Sequence, residues 1–231
     1  MKEMFVIAHR GGGDLFPENT LKAFLGAEKL GCNAVECDVH LSLDGSLIVN
    51  HDADLNRVAG LNKKISDMKL QDILAIKLKN GEKIPILEDV YKSISIPVIV
   101  ELKDVNTVKA MIKLFKDKPE IIKRTIVISF YHEILLEIKK HIPSLESGAL
   151  LAGFPVDPVT VARSCKSNTL SLYFEGINRS YVDLCHKGGI NVSVWTPNSE
   201  EEIMNCINAG VDSIGTDRPD LVMKLLNETS E

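Results

Sequence analysis

Two histidines, His9 and His51, each close a short apolar run, and each is joined at once by a charged neighbour, Arg10 and Asp52. Histidine is the side chain best suited to moving protons near neutral pH, so two in equivalent places suit the acid and the base of an in-line displacement. Between them stands Glu36-Cys37-Asp38, and further on Glu101-Leu102-Lys103. Residues two apart on a strand share a face, which aims Glu36 and Asp38 together and turns Cys37 outward under a helix. With Glu101 from a neighbouring strand, these carboxylates would repel one another unless protonated or gathered about a cation, and one hard divalent ion, Mg²⁺ or Ca²⁺, prefers such oxygens. The E-x-D pair taken alone fits equally well two strand-end carboxylates held by Arg or Lys. Arg10, as a bidentate fork, and Lys103, as a point charge, serve a group with several oxygens, and together with a cation they describe a phosphate ester site.

The other candidates carry less. His40, His132, His141 and His186 fall at expected strand-exterior or helical positions and read as surface residues. Gly11, Gly12 and Gly13 do not form a Walker A loop, since G-x-x-x-x-G-K-[ST] is missing; they either let the chain leave a strand in conformations other residues resist or offer their amides to a phosphate. Trp195 is a rim aromatic facing the ligand or a core residue. The five cysteines are odd in number and scattered without a C-x-x-C pair, as reduced thiols would be.

These residues need a scaffold that brings strand ends together. Apolar runs at Met4–Ala8, Ala34–Leu41, Pro97–Leu102, Thr125–Ser129, Ser147–Leu151, Thr169–Tyr173, Asn191–Val194 and Ser213–Ile214 read as strands. Segments of helical period lie between them: Thr20–Lys29, Val105–Lys116, Tyr131–His141, Asp157–Ser164, Arg179–Lys187, Ser199–Ala209 and Asp220–Leu226. Thr20 and Ser199 offer N-caps, and Gly31 and Gly210 offer stops. The βα rhythm predicts an α/β fold, a TIM (β/α)8 barrel whose site lies at the C-terminal ends of the strands. A Rossmann-type open sheet competes, but G-x-G-x-x-G is absent after the first strand and the strand count is high for it.

The expected organisation is one barrel domain over residues 1–231, with a small, charged, glycine-punctuated insertion at about 54–83, after the second strand region. The 45% hydrophobic and 26% charged fractions suit a globular chain, and a net charge of −5 argues against a generic nucleic-acid binder. The first apolar run is too short for a signal-peptide core, and no run approaches the roughly 18 apolar residues of a membrane span, so a cytoplasmic location is expected. Oligomeric state is not legible.

HRG (9–11), PENT (17–20), E-x-D (36–38), DG (44–45), HD-x-x-L-x-R (51–57), E-x-K (101–103), WT-x-N (195–198) and TDRP (216–219) resemble, in order and spacing, the glycerophosphodiester phosphodiesterase family. The resemblance covers nearly the whole chain. It implies a TIM barrel that hydrolyses glycerophosphodiesters to glycerol 3-phosphate and an alcohol with a divalent cation. It further implies His9 and His51 as the acid/base pair, Glu36, Asp38 and Glu101 as metal ligands, and Arg10 and Lys103 as phosphate contacts. Ser42 and Val58-Ala59 stand where the family often shows threonines, departures in loop and insertion positions that bear on substrate preference. The same constellation is similar to the spider-venom phospholipase D relatives, which act on choline phospholipids but are secreted and disulfide-bonded. A non-catalytic barrel that binds phosphodiesters is the alternative from another class.

Overall fold

A computed structural model of the chain describes residues 4–228. In chain order the elements begin with β1 (Phe5–Ala8), α1 (Leu21–Leu30), β2 (Ala34–Leu41), β3 (Leu47–Val49), β4 (Asp54–Leu55), α2 (Asn56–Ala59), β5 (Leu61–Lys64), α3 (Leu70–Leu74) and α4 (Leu87–Ser93). They continue as β6 (Val98–Leu102), α5 (Thr107–Asp117), β7 (Thr125–Ser129), α6 (His132–His141), β8 (Glu146–Leu151), α7 (Pro158–Ser164) and β9 (Thr169–Tyr173). The last are α8 (Arg179–Lys187), β10 (Asn191–Trp195), α9 (Glu200–Ala209), β11 (Ser213–Thr216) and α10 (Pro219–Glu228).

Strands β1, β2, β6, β7, β8, β9, β10 and β11 pair in parallel in that spatial order, and β1 pairs with both β2 and β11, closing the ring. The fold is the expected TIM barrel, and each of the eight strands expected from the sequence lands on one of these within two residues. β3 is the antiparallel addition, folding back on the long second strand with Val39 opposite Val49.

Strand parity makes two apolar layers. Val35, Cys37 and Val39 point outward and pack with Phe24 and Leu87 beneath the helices, while Ile7, Ala34, Ile99, Ile128 and Leu150 fill the barrel interior. Cys37 is fully buried in the outer layer, and all five cysteines are buried free thiols. Read in steps of two from those interior residues, each inward row runs up into a chemically different residue: Ile7 to His9, Ala34 to Glu36 and Asp38, and Ile99 to Glu101 and Lys103. On the other arc, Ile128 leads to Phe130.

Local signals place the helices. Thr20 Oγ1 accepts from the Ala23 amide, Ser199 and Glu202 form a reciprocal capping box, and Gly31 and Gly210 end their helices with φ of 92° and 81°. α4 had no sequence expectation of its own; Leu87, Val90 and Tyr91 bury it against the barrel.

The insertion holds β4, α2, β5 and α3 around a small core of Leu55, Ile65, Met68, Ile73, Leu78 and Ile84, which meets Ile48 of β3. These apolar residues follow neither a 2 nor a 3.6 period, because β4 and α3 contribute one each, Leu55 and Ile73, and the other four lie in the connections around the short elements. Among the described residues, no helix is long and apolar enough to cross a membrane.

Candidate active site

The β2–β6 register sets Asp38 directly beside Glu101. One carboxylate oxygen from each of Glu36, Asp38 and Glu101 can be chosen so that all lie within 4.8 Å of one another. Asp38 is only 1% exposed; Lys103 Nζ is 2.9 Å from its Oδ1, Arg10 Nε is 3.3 Å from its Oδ2, and Asn19 Nδ2 donates to Oδ2 at 2.8 Å. Lys103 also donates to Glu101 Oε1 at 2.8 Å. Glu36 Oε2 accepts from the Arg10 amide at 3.0 Å, whereas its Oε1 is buried without a hydrogen-bond partner.

Burial works against ionisation of all three carboxyls, and their neighbours decide the outcome. For Asp38 the Lys103 and Arg10 charges outweigh burial and hold it well below the usual carboxylate range. Glu36, buried and beside the Asp38 charge, is pushed up to about 8. Glu101 is also raised, burial outweighing Lys103. Three buried carboxylates, one with an orphaned oxygen and two with raised pKa, are short of positive charge, and their oxygen donors suit a hard divalent cation.

The two histidines are held alike. His9 Nδ1 lies 2.8 Å from Asp217 Oδ1, and His51 Nδ1 lies 2.8 Å from Asp52 Oδ1. Asp217 Oδ2 in turn accepts from Asn198 Nδ2 at 2.9 Å. With Nδ1 donating to a carboxylate in each ring, Nε2 is the nitrogen left for chemistry. His9 Nε2 is 4.0 Å from Glu36 Oε2. Their proton affinities diverge. Burial lowers the pKa of both; at His9 the Asp217 hydrogen bond and the Glu36 charge outweigh it and raise the value, while at His51 burial prevails over Asp38 and Asp52.

The chain turns sharply to reach this arrangement. Arg10 itself takes a left-handed conformation, φ 50°, which aims its amide at Glu36 and its guanidinium at Asp38. Gly11 follows at φ 86°, where a Cβ would stand 2.6 Å from Ala23 Cβ, so this glycine is required for conformation and for space. Trp195 packs on the interior layer, donates Nε1–H to the Ser171 carbonyl at 3.1 Å, and joins Phe130 and Tyr173 in an aromatic wall with centroids 5.6 and 5.3 Å away.

One sequence expectation is corrected. His40 is not strand-exterior: it continues the inward row of Glu36 and Asp38, and its Nε2 donates to the His51 carbonyl at 3.0 Å. The expectation failed because the second strand runs on past the barrel rim, where its inward face meets the segment carrying His51 and not a helix. Asp217, Asp52, Asn19 and Asn198 carried no individual role in the sequence reading. Asp52 sits next to His51, and Asp217 lies two residues past Gly215 on the inward row of β11, which is the signal that could have found them.

Residues 9–221 match the model of the glycerophosphoryl diester phosphodiesterase family. A glycerophosphodiester phosphodiesterase of Caldanaerobacter subterraneus subsp. tengcongensis is 33% identical, over 96% of this chain and 98% of its own. The solved structure of a glycerophosphodiester phosphodiesterase from Thermotoga maritima superposes with a TM-score of 0.84 at 28% identity, covering 97% of this chain and 99% of the other. An Oleispira antarctica phosphodiesterase, solved in complex with the product sn-glycerol-3-phosphate, superposes with a TM-score of 0.89 at 24% identity and covers 96% of each chain.

Proposed function

Since the chain belongs to the glycerophosphoryl diester phosphodiesterase family, we propose that its barrel mouth hydrolyses glycerophosphodiesters to glycerol 3-phosphate and an alcohol by His/His acid–base catalysis with one divalent cation, Mg²⁺ or Ca²⁺. The observation that carries this reading is the pairing of two carboxylate-held histidines with the buried Glu36–Asp38–Glu101 cluster on one rim. The sn-glycerol-3-phosphate bound in the Oleispira antarctica structure supports the same reading.

Glu36, Asp38 and Glu101 would hold the cation, which when bound supplies charge to offset that building on phosphate oxygens. Arg10 and Lys103, already fixed by Asp38, Glu18 and Glu101, contact the remaining phosphate oxygens and orient the diester. The attacking hydroxyl oxygen, of water or of the glycerol itself, gives its proton to one Nε2 as its bond to phosphorus forms. The other Nε2 donates a proton to the departing alkoxide as the P–O bond breaks. If the glycerol hydroxyl attacks, the cyclic phosphate formed is opened by water through the same two groups in reversed roles.

A second reading, action on a lysophospholipid, is favoured by the aromatic wall of Phe130, Tyr173 and Trp195, whose outermost member Phe130 is 46% exposed. The deciding experiment is a turnover panel of glycerophosphocholine, glycerophosphoethanolamine, glycerophosphoglycerol, glycerophosphoinositol and lysophosphatidylcholine, each with Mg²⁺ and with Ca²⁺. Release of glycerol 3-phosphate from one or more of the first four is expected. Choline released from the lysolipid alone would favour the second reading, and a flat response throughout would overturn both.

A further inference from the structure

We infer that Arg57, supplied by the insertion, is a positioning residue that fixes the His51 ring relative to the loop carrying Arg10. Its guanidinium is engaged on both edges. Nε donates to Asp52 Oδ2 at 2.6 Å, while Nη1 and Nη2 donate to Glu18 Oε2 and Oε1 at 2.9 and 2.7 Å. Each carboxylate passes the contact on: Asp52 Oδ1 holds His51 Nδ1, and Glu18 Oε1 receives Arg10 Nη1 at 3.3 Å. One side chain thus links the proton-transfer residue of one segment to the phosphate contact of another, 41 positions away in sequence (51 − 10).

Among the described residues no strand ladder runs between the Arg10–Glu18 loop and the segment from His51 to Arg57. Arg57 is itself anchored from behind: Lys79 Nζ donates to its carbonyl at 2.9 Å, Gly60 closes α2 with φ 71°, and the preceding Leu55 is fully buried in the insertion core. The insertion is therefore a strut, with Arg57 at its working end.

The physical need for an arginine follows from what it separates. Without it, the Glu18 and Asp52 carboxylates face one another with no charge between them, and Asp52 is free to rotate away from Nδ1. His51 then keeps its backbone tie to His40 but loses the contact that selects the Nδ1-protonated tautomer and leaves Nε2 free. Lysine, a point charge, cannot occupy both edges at once.

The activity part of the test rests on the proposed phosphodiesterase reading; the spectroscopic part does not. In the full-length chain turning over glycerophosphocholine, Arg57→Ala is expected to lower kcat by on the order of tenfold to a hundredfold, with KM held within about threefold. Arg57→Lys falls between, and added guanidinium ion restores part of the loss in Arg57→Ala but none in His51→Ala. In protein with ¹⁵N-labelled histidine, the unequal ring-nitrogen shifts of neutral His51 move toward the tautomer average in Arg57→Ala. Should Arg57→Ala fail to fold, Arg57→Lys and Glu18→Gln are expected to show the same kcat loss and shift change in weaker form. A raised KM at unchanged kcat would make Arg57 a substrate contact, and a lowered Tm with kcat and His51 shifts unchanged would make it purely structural; either overturns the inference. If the wild type turns over no phosphodiester, the functional reading fails, and the ring-nitrogen shifts still decide the role of Arg57.

Discussion

His9 Nδ1 and Asp217 Oδ1 meet at 2.8 Å although 208 positions separate them, joining the tip of the first barrel strand to the tip of the last. The contact exists because β1 and β11 are neighbours in the closed ring, with Ala8 opposite Thr216. Asp217 selects the tautomer of His9 and is itself held by Asn198. Asp217→Asn is expected to lower kcat on glycerophosphocholine by on the order of a hundredfold while leaving the fold intact, because the amide no longer enforces Nδ1 protonation. A kcat within about twofold of wild type would remove Asp217 from the proton-transfer machinery.

His9→Ala and His51→Ala are each expected to cost at least ~10²-fold in kcat, the lower scale of an acid/base contribution. Near-normal turnover by either variant, measured by coupled detection of glycerol 3-phosphate, would sink the assignment of that histidine.

Chelation is expected to abolish turnover, and Mg²⁺ or Ca²⁺ to restore it. A readout independent of activity is the melting temperature: a cation that binds only the folded chain adds about 2.7 kcal/mol at a hundred times its Kd, enough to raise Tm by several degrees. Glu36→Gln and Asp38→Asn are expected to erase that rise. Full activity after exhaustive metal removal would count against the carboxylate cluster as a cation site.

The acid limb of stability carries a signature of Glu18. Burial opposes its ionisation, but the bonds and charges of Arg57 and Arg10 prevail and hold its pKa below the ordinary 4.5. A carboxyl depressed in the folded state contributes stability that is fully present above its unfolded pKa and is lost as pH falls through the folded value. Glu18→Gln lacks this contribution at every pH. The Tm difference between wild type and Glu18→Gln is therefore expected to be largest near neutrality and to shrink as pH drops below about 4.5; a gap that widens with acid would contradict the assigned direction.

Gly11→Ala tests the turn behind Arg10. The added methyl would meet Ala23 Cβ at 2.6 Å in a backbone with φ 86°, and a stability loss of about 1–3 kcal/mol is expected, read as a fall in Tm. Gly45→Ala, at φ 84° with open space around the new atom, pays only the conformational part and should lose less. Equal losses would show that the crowding at Gly11 is relieved by movement of α1.

What the sequence by itself determined is whatever depends on local periodicity. Alternation of apolar runs with helical segments gives the eight-stranded barrel, and parity within a strand pairs Glu36 with Asp38 and turns Cys37 away from them. Residue types at strand ends made His9, His51, Arg10, Glu101 and Lys103 candidates without any knowledge of neighbours. Only the tertiary structure decided what each of these touches. Asp217 becomes a partner of His9 through ring closure, and His40 reaches His51 because β2 overshoots the rim. Arg57 spans Glu18 and Asp52 because short elements and connecting turns with no common period fold around one small core. Periodicity reports which face a residue occupies; which distant side chain shares that face depends on strand order and on where the chain is folded back, and neither leaves a local mark.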